Sequence, residues 1–241
     1  MKRQFAGLTF GAVLLASTSL HAQQVVPPNE QDMAKLNAEV STAIETCIEC
    51  HGPGGVSSTP TRPTIAGQKA SYIRSQLEAF KSSANGSVSI DQTLNNPLLR
   101  SDPVMEHMAQ GLPAHLIEPL SVAVSAMACD GGNPKPKSKF QPRRPFAADA
   151  CVSCHGVDGI GVWDGVPNLA GQQRAYLRRQ LLLIRETAWG ADPREGEAWR
   201  SHPIMEAKTA RMRIADIDAI ARYYSKLDCR GAQASISEEN N

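Results

Sequence analysis

The stretch CIECHG at residues 47–52 returns as CVSCHG at residues 151–156, 104 positions further along the chain. Each copy has two cysteines about one helical turn apart, with a histidine directly after the second. Thiols at this spacing reach the two vinyl groups of a porphyrin, and the neighbouring imidazole reaches its iron. The pattern therefore predicts two covalently bound haem c groups. The predicted attachment residues are Cys47, Cys50, Cys151 and Cys154, and the predicted iron ligands are His51 and His155.

Two other uses of such cysteine pairs compete with this prediction. A structural zinc ion would gather four ligands at each site. A disulfide or a dithiol redox motif would not require a histidine after the second cysteine in both copies. Haem attachment explains the histidine, and we favour it for that reason.

The two stretches belong to a longer repeat, in which the offset is 104 up to residue 181 and 100 from residue 200 onward. The matching segments are PTIAGQ (63–68) and PNLAGQ (167–172), YIRSQL (72–77) and YLRRQL (176–181), RSDPVME (100–106) and RSHPIME (200–206), and Cys129 and Cys229. The first copy therefore has four more residues between Lys81 and Arg100. Two copies of one fold are predicted.

A haem iron has a sixth position, which methionine or histidine can fill or which can stay open to substrate. Met105 and Met205 lie at equivalent positions of the repeat, and we predict them as the sixth ligands. The remaining candidates do not repeat as a pair and are interpreted as core residues or as weaker bis-histidine alternatives. They are Met33, Met108, Met127, Met212, His107, His115 and His202.

The composition of the 241-residue chain excludes several classes of protein. Hydrophobic residues make up 41%, too many for a disordered chain. Lys and Arg number 25 and Asp and Glu 24, so there is no basic excess of the kind that binds nucleic acid. Aromatic residues make up only 5%, which is few for two apolar cores. Something other than side chains is expected to fill part of those cores.

The N-terminus has the pattern of an export signal, with Lys2 and Arg3 before an apolar run over 5–20 and the small residue Ala22 at its end. We predict a signal peptide over 1–22. The alternative is a membrane anchor, but the run is interrupted by polar residues and is short of the roughly 20 residues that a span needs.

The two copies are predicted as separate domains over 23–130 and 146–230. The segment 131–145 contains four prolines and five basic residues and no acidic one, which is typical of a linker. A tail follows over 231–241. Within each copy apolar residues recur at helical spacing, and no alternating pattern indicates a strand. The fold is therefore predicted as all-α. The helical positions are Leu36, Val40 and Ile44; Ile73, Leu77 and Phe80; Leu177, Leu181 and Ile184; Leu116 to Ala126; and Ile214, Ile217, Ile220 and Ala221.

Several further residues have more than one interpretation. Cys129 and Cys229 remain after haem attachment and are expected to form a disulfide, to stay as buried thiols or to link two molecules. Arg100 and Arg200 are interpreted either as partners of haem propionates or as solvated loop residues. The helix face of Arg174, Arg178 and Arg185 suggests an acidic partner or simple solvation.

In these segments the chain resembles the dihaem class I c-type cytochromes, most closely the cytochrome c4 family. The resemblance covers nearly all of residues 33–229 and implies two cytochrome c domains about a pseudo-twofold axis, with their haems close together. It also implies that the carbonyls of Pro63 and Pro167 accept from the ring N–H groups of His51 and His155. The sequence departs from the pattern where Gly54 and Ala123-Val124 in the first copy replace Asp158 and Tyr223-Tyr224 in the second.

The function expected from this resemblance is the transfer of single electrons. The expected partners are redox proteins, namely a bc1-type complex or periplasmic dehydrogenase as donor and a terminal oxidase as acceptor. The protein is expected in the periplasm, with an association at the inner membrane surface as a further expectation. The alternatives are a dihaem oxidoreductase of the peroxidase or thiosulfate dehydrogenase type, and the haem subunit of a larger dehydrogenase.

Overall fold

The computed structural model describes residues 29–87, 89–91, 96–132, 142–190 and 197–229. In the first copy these form α1 (Glu30–His51), α2 (Ala70–Ala84), β1 (Ser89–Asp91), β2 (Asn96–Ser101), α3 (Pro103–Gly111) and α4 (Ala114–Ser125). In the second copy they form α5 (Asp149–His155), α6 (Arg174–Ala188), β3 (Trp199–Ser201), α7 (Pro203–Thr209) and α8 (Ile214–Tyr224). The predicted signal peptide, the tail beyond Cys229 and most of the linker lie outside the described residues. Within the described ranges no helix is long and apolar enough to cross a bilayer.

The prediction of a helical fold built from two equivalent copies is confirmed. Each predicted apolar stripe lies on a helix, and most of its residues are buried or partly buried, although Val122 and Ile214 are exposed. In the first copy Phe80 of α2 is buried together with Leu116, Leu120 and Val124 of α4. In the second copy, Leu177 of α6 packs in one cluster with residues of α8 and of the segments before α5, before α6 and after α8. The members of that cluster are Ala148, Ala170, Leu177, Ile220, Ala221, Tyr223, Tyr224 and Leu227.

Three short strands were not predicted. β1 and β2 pair antiparallel in the segment where the first copy has its extra residues, and β2 also pairs antiparallel with β3 of the second copy. In that second pairing Arg100 is opposite Arg200, and Leu99 is opposite Ser201. β1 and β2 pair within the first copy, whereas β2 and β3 pair through residues about 100 positions apart, which no local alternation indicates. The β2 and β3 pairing joins the two copies through their backbones.

Polar contacts across the boundary between the copies come in reciprocal pairs. Gln68 Nε2 donates to the carbonyl of Asn168 at 2.9 Å, and the Asn168 backbone N–H donates back to Gln68 Oε1 at 2.8 Å. Gln172, the equivalent of Gln68, makes the same two bonds with the backbone of Thr64, both at 2.9 Å. A contact that recurs with the roles of the copies exchanged is what a twofold relation requires.

Candidate haem-binding site

One cavity of about 690 Å³ reaches both cysteine-histidine motifs. Apolar side chains of α2 and α4 line it in the first copy, and those of α6 and α8 line it in the second. The cavity brings together all eight residues predicted for haem binding, which are Cys47, Cys50, His51, Met105, Cys151, Cys154, His155 and Met205. Its size lies within the range of small-molecule and cofactor sites.

The two histidines are held in one orientation by backbone carbonyls. His51 Nδ1 lies 2.9 Å from the carbonyl of Pro63, and His155 Nδ1 lies 3.1 Å from that of Pro167. Because a carbonyl can only accept, Nδ1 carries the proton and Nε2 keeps its lone pair for a metal. Burial lowers the pKa of both histidines below the ordinary value, and the carbonyls oppose this shift only in part. The contact implied by the resemblance is therefore confirmed, and burial favours the neutral imidazole.

The cysteines of the motifs are free thiols at the ends of α1 and α5. Burial raises the pKa of Cys47 and of Cys151. The structure has no disulfide within either motif, so it does not support that alternative. Among the described residues no three side chains of His, Cys, Asp or Glu come together as a metal cluster, so the zinc alternative has no support there either.

The two methionines lie at the start of α3 and α7, each two residues after a proline that opens the helix. Asp102 caps α3 by accepting from the backbone N–H groups of Val104 and Met105. Both Met105 and Met205 are partly buried on the cavity. The competing Met108 is 38% exposed and is not among the described residues that line the cavity.

Of the three histidines considered for bis-histidine ligation, only His202 lines the cavity among the described residues. His115 is on the surface, where its Nε2 lies 2.9 Å from Glu39 Oε2. His107 is exposed. Met212 lines the cavity as well, so the second copy offers a second sulfur and a second imidazole near the predicted ligands.

Arg100 and Arg200 are buried, with 8% exposure each, so the reading as solvated loop residues is wrong. Arg100 donates to Gln76 and to the hydroxyl of Tyr176 at 2.7 Å. Arg200 donates to Gln180 at 2.7 Å and to the hydroxyl of Tyr72 at 2.9 Å. All six residues line the cavity. The sequence comparison marked the tyrosines and glutamines as repeated positions, but nothing in it assigned them these contacts.

Among the described residues that line the cavity, Arg200 Nε and the hydroxyl of Tyr224 are buried without a hydrogen-bond partner. Burial raises the pKa of Tyr224, so its hydroxyl keeps its proton. A buried donor without a partner is costly, and two buried guanidinium groups opposite one another favour a nearby anion. The site therefore fits a largely apolar group that bears carboxylates, as haem does.

The predicted arginine face of α6 is not a free cationic patch. Arg178 Nε contacts Asp218 Oδ1 of α8 at 2.6 Å, and the equivalent Arg74 contacts Glu118 of α4 at 3.0 Å. Arg185 is buried and donates to the carbonyl of Met212 at 3.2 Å. Arg178 therefore joins α6 to α8, Arg185 joins α6 to the segment between α7 and α8, and Arg174 is exposed.

Cys129 and Cys229 form a disulfide, with their Cα atoms 6.1 Å apart. Of the three readings of these cysteines, the bridge within the chain is the one the structure has. It lies beside the reciprocal contacts of Gln68 and Gln172, where a small cavity is lined by both cysteines and both glutamines. The bridge therefore ties the ends of the two copies together.

The comparisons with known proteins agree with this site. The family described as Cytochrome c matches residues 143–228. The chain is 28% identical over 242 residues to the thiosulfate dehydrogenase electron acceptor of Thiomonas intermedia, which covers 92% of this chain and 90% of that protein. It is 40% identical over 75 residues to cytochrome c-554(548) of Halomonas halodenitrificans, covering 31% of this chain and 81% of that protein. The crystal structure of reduced recombinant cytochrome c4 from Pseudomonas stutzeri matches with a TM-score of 0.57 at 25% identity, covering 80% of this chain and 98% of that one.

Proposed function

Since the chain belongs to the cytochrome c family, as a dihaem member of the cytochrome c4 type, we propose that it takes single electrons from a periplasmic or membrane-bound donor and passes them to an acceptor such as a terminal oxidase. It is an electron-transfer protein with two covalently bound haem c groups. The observation that carries the proposal is the single cavity reached by both motifs, because one continuous site allows an electron to pass between two haems.

We assign the residues of each copy to the same roles. Cys47 and Cys50, which line the cavity, would hold one haem through thioether bonds, and His51 and Met105 would bind its iron. In the second copy the corresponding residues are Cys151, Cys154, His155 and Met205. Bound haem supplies a one-electron couple whose potential depends on its axial ligands and surroundings.

The chain's own residues favour a carrier over an enzyme. The proline carbonyls fix each imidazole with Nε2 towards the cavity, so the ligand does not have to reorient during turnover. As the proposed sixth ligands, Met105 and Met205 would fill the position that a peroxidase-type enzyme leaves open for substrate. Apolar side chains around both motifs limit the entry of water, which favours the less charged, reduced state.

The donor and acceptor are proposed from the relatives. A close match in length to a protein named as the electron acceptor of a thiosulfate dehydrogenase favours a dehydrogenase of that class as the donor. A bc1-type complex is the other candidate donor. We place the exchange in the periplasm, with contact at the inner membrane surface where the partner is membrane-bound. Carriers of this kind use small, transient contact surfaces.

The sixth ligand decides between this proposal and a dihaem oxidoreductase. We expect the reduced protein to bind no carbon monoxide at either haem, and the Met105→Ala and Met205→Ala variants each to bind it at one haem. Met108→Ala is the matched control, because Met108 is exposed away from the cavity. Ready binding of carbon monoxide by the unmodified protein would contradict the carrier role for that haem. Copurification with a catalytic chain would instead favour the haem subunit of a larger dehydrogenase.

A further inference from the structure

Two tyrosines reach across the boundary between the copies, and each meets an arginine of the opposite copy. The hydroxyl of Tyr72, on α2, accepts from Arg200 Nη2 at 2.9 Å. The hydroxyl of Tyr176, on α6, accepts from Arg100 Nη2 at 2.7 Å. The same contact is therefore made twice, in opposite directions.

Each arginine also has an anchor in its own copy. Arg100 Nη1 donates to Gln76, and its guanidinium lies 4.6 Å from the centre of the Phe80 ring. Arg200 Nη1 donates to Gln180 at 2.7 Å. The guanidinium groups of Arg100 and Arg200 thus each have one hydrogen-bond partner in their own copy and one in the other copy. Removal of the tyrosine hydroxyl leaves only the partner in the arginine's own copy.

The two tyrosine hydroxyls and the two guanidinium groups also interact electrostatically. Burial alone would raise the pKa of Tyr72, but Arg200 and Arg100 outweigh it and lower that pKa below the ordinary value. Burial would lower the pKa of Arg100, and Tyr176 and Tyr72 outweigh it in the other direction. The tyrosine oxygens therefore stabilise two cations that are buried opposite one another in the β2 and β3 pairing.

We propose that each tyrosine positions the arginine of the opposite copy at the cavity, so that Tyr72 tunes the reduction potential of the second haem and Tyr176 that of the first. This inference rests on the proposed function. A guanidinium close to a haem favours the reduced state, which carries one positive charge less. A guanidinium that has lost its tyrosine moves more freely and stabilises the reduced state less. The potential of the haem in the opposite copy then falls.

The test is a spectroelectrochemical titration of the holoprotein and of its Tyr72→Phe and Tyr176→Phe variants. The Met105→Ala and Met205→Ala variants identify which component belongs to which copy. We expect Tyr72→Phe to lower the equilibrium constant for reduction of the second haem about three- to tenfold, where tenfold corresponds to about 59 mV for one electron. The first haem shifts by a smaller factor, because Tyr72 also interacts with Arg100 of its own copy, and Tyr176→Phe gives its larger shift at the first haem.

Tyr223→Phe is the matched control. The Tyr223 hydroxyl donates to the carbonyl of Val157 at 2.8 Å, and Tyr223 is not among the described residues that line the cavity. It therefore loses one hydrogen bond without a change at either haem, and both potentials stay unchanged. Denaturation midpoints of the three variants separate loss of stability from loss of positioning.

A double-variant cycle gives an independent check. Arg200→Lys keeps the charge but cannot hold Gln180 and Tyr72 together. Tyr72→Phe added to Arg200→Lys therefore shifts the second potential no further. If Tyr72→Phe shifts the first haem as much as the second or more, or shifts neither, the inference is overturned and the carrier role stands. If the titration of the unmodified protein does not show two one-electron components, both the inference and the proposed carrier role are overturned.

Discussion

Gly52 and Gly156 end the helices that carry the cysteine pairs, with φ of 85° and 72°. A Cβ atom on Gly52 would lie 2.3 Å from the carbonyl oxygen of Val56, and one on Gly156 2.4 Å from that of Ile160. We expect Gly52→Ala to lower the free energy of unfolding by about 2–4 kcal/mol, because strain and collision add. Denaturant titration measures the loss.

Gly54 provides the control for that prediction. Its φ is 61°, and a Cβ atom there would meet nothing within 4 Å. Gly54→Ala therefore costs only the left-handed conformation, about 1 kcal/mol. Equal losses for the two variants would show that the collision at Gly52 is relieved by small movements.

At the scale of single residues, the sequence predicted what local chemistry determines. The spacing of the cysteines and histidines and the recurrence of Met105 and Met205 led to residues that share one cavity. The sequence did not decide between the two interpretations of Arg100 and Arg200, because the burial and the partners of a side chain depend on residues distant in the chain. The repeat marked Tyr72 and Tyr176 without indicating that they meet those arginines.

At the scale of elements, Lys81 of α2 holds the helix that carries Met105. Its Nζ donates to the carbonyls of Ala109, Gln110 and Leu112 at the end of α3, at 3.1, 3.2 and 2.6 Å. We expect Lys81→Met to lower the free energy of unfolding by about 1.5–3 kcal/mol, since these bonds involve a charged donor. The band that reports methionine on iron should disappear at a lower temperature for the first haem than for the second.

Lys35→Met is the matched control. The Lys35 side chain is 77% exposed and lies 3.9 Å from Glu39, a pair of the kind that contributes little. We expect no change in the methionine band and a loss of less than about 1 kcal/mol in the free energy of unfolding. If Lys81→Met behaves in the same way, α3 does not depend on this contact.

Helices α1, α2, α4, α6 and α8 were predictable because each carries its own apolar period, whereas α3, α5 and α7 were not among the predicted helices. The strands β2 and β3 were not predictable, since they pair with each other only where the two copies pack together. The lengths of α1 and α5 also differ, 22 residues against 7, although both end in the same motif. A repeat in sequence predicts equivalent positions more reliably than equivalent element lengths.

At the scale of the whole molecule, the disulfide between Cys129 and Cys229 closes a segment with a sequence separation of 100. In the chain-entropy account such a bridge contributes about 4–5 kcal/mol. We expect the Cys129→Ser/Cys229→Ser double variant to lose about that much stability while it keeps both haems. Reductant should destabilise the unmodified protein to a similar extent and leave the double variant unchanged. Equal stability of the two proteins would contradict a structural role for the bridge.

The boundary between the copies is the part of the molecule that the sequence described least. The repeat indicated two similar domains and a linker, and the resemblance implied a pseudo-twofold axis. Which residues would meet at that axis could not be predicted, because reciprocal contacts such as those of Gln68 and Gln172 depend on how two folded units pack.

The most direct test of the account is one spectroelectrochemical titration of the purified protein, carried out under argon and repeated under carbon monoxide. Two haems closed by histidine and methionine predict two one-electron steps of equal amplitude at unchanged potentials under both gases. A single step, or a component whose potential rises under carbon monoxide, would contradict the central claim that this chain carries electrons through two closed irons.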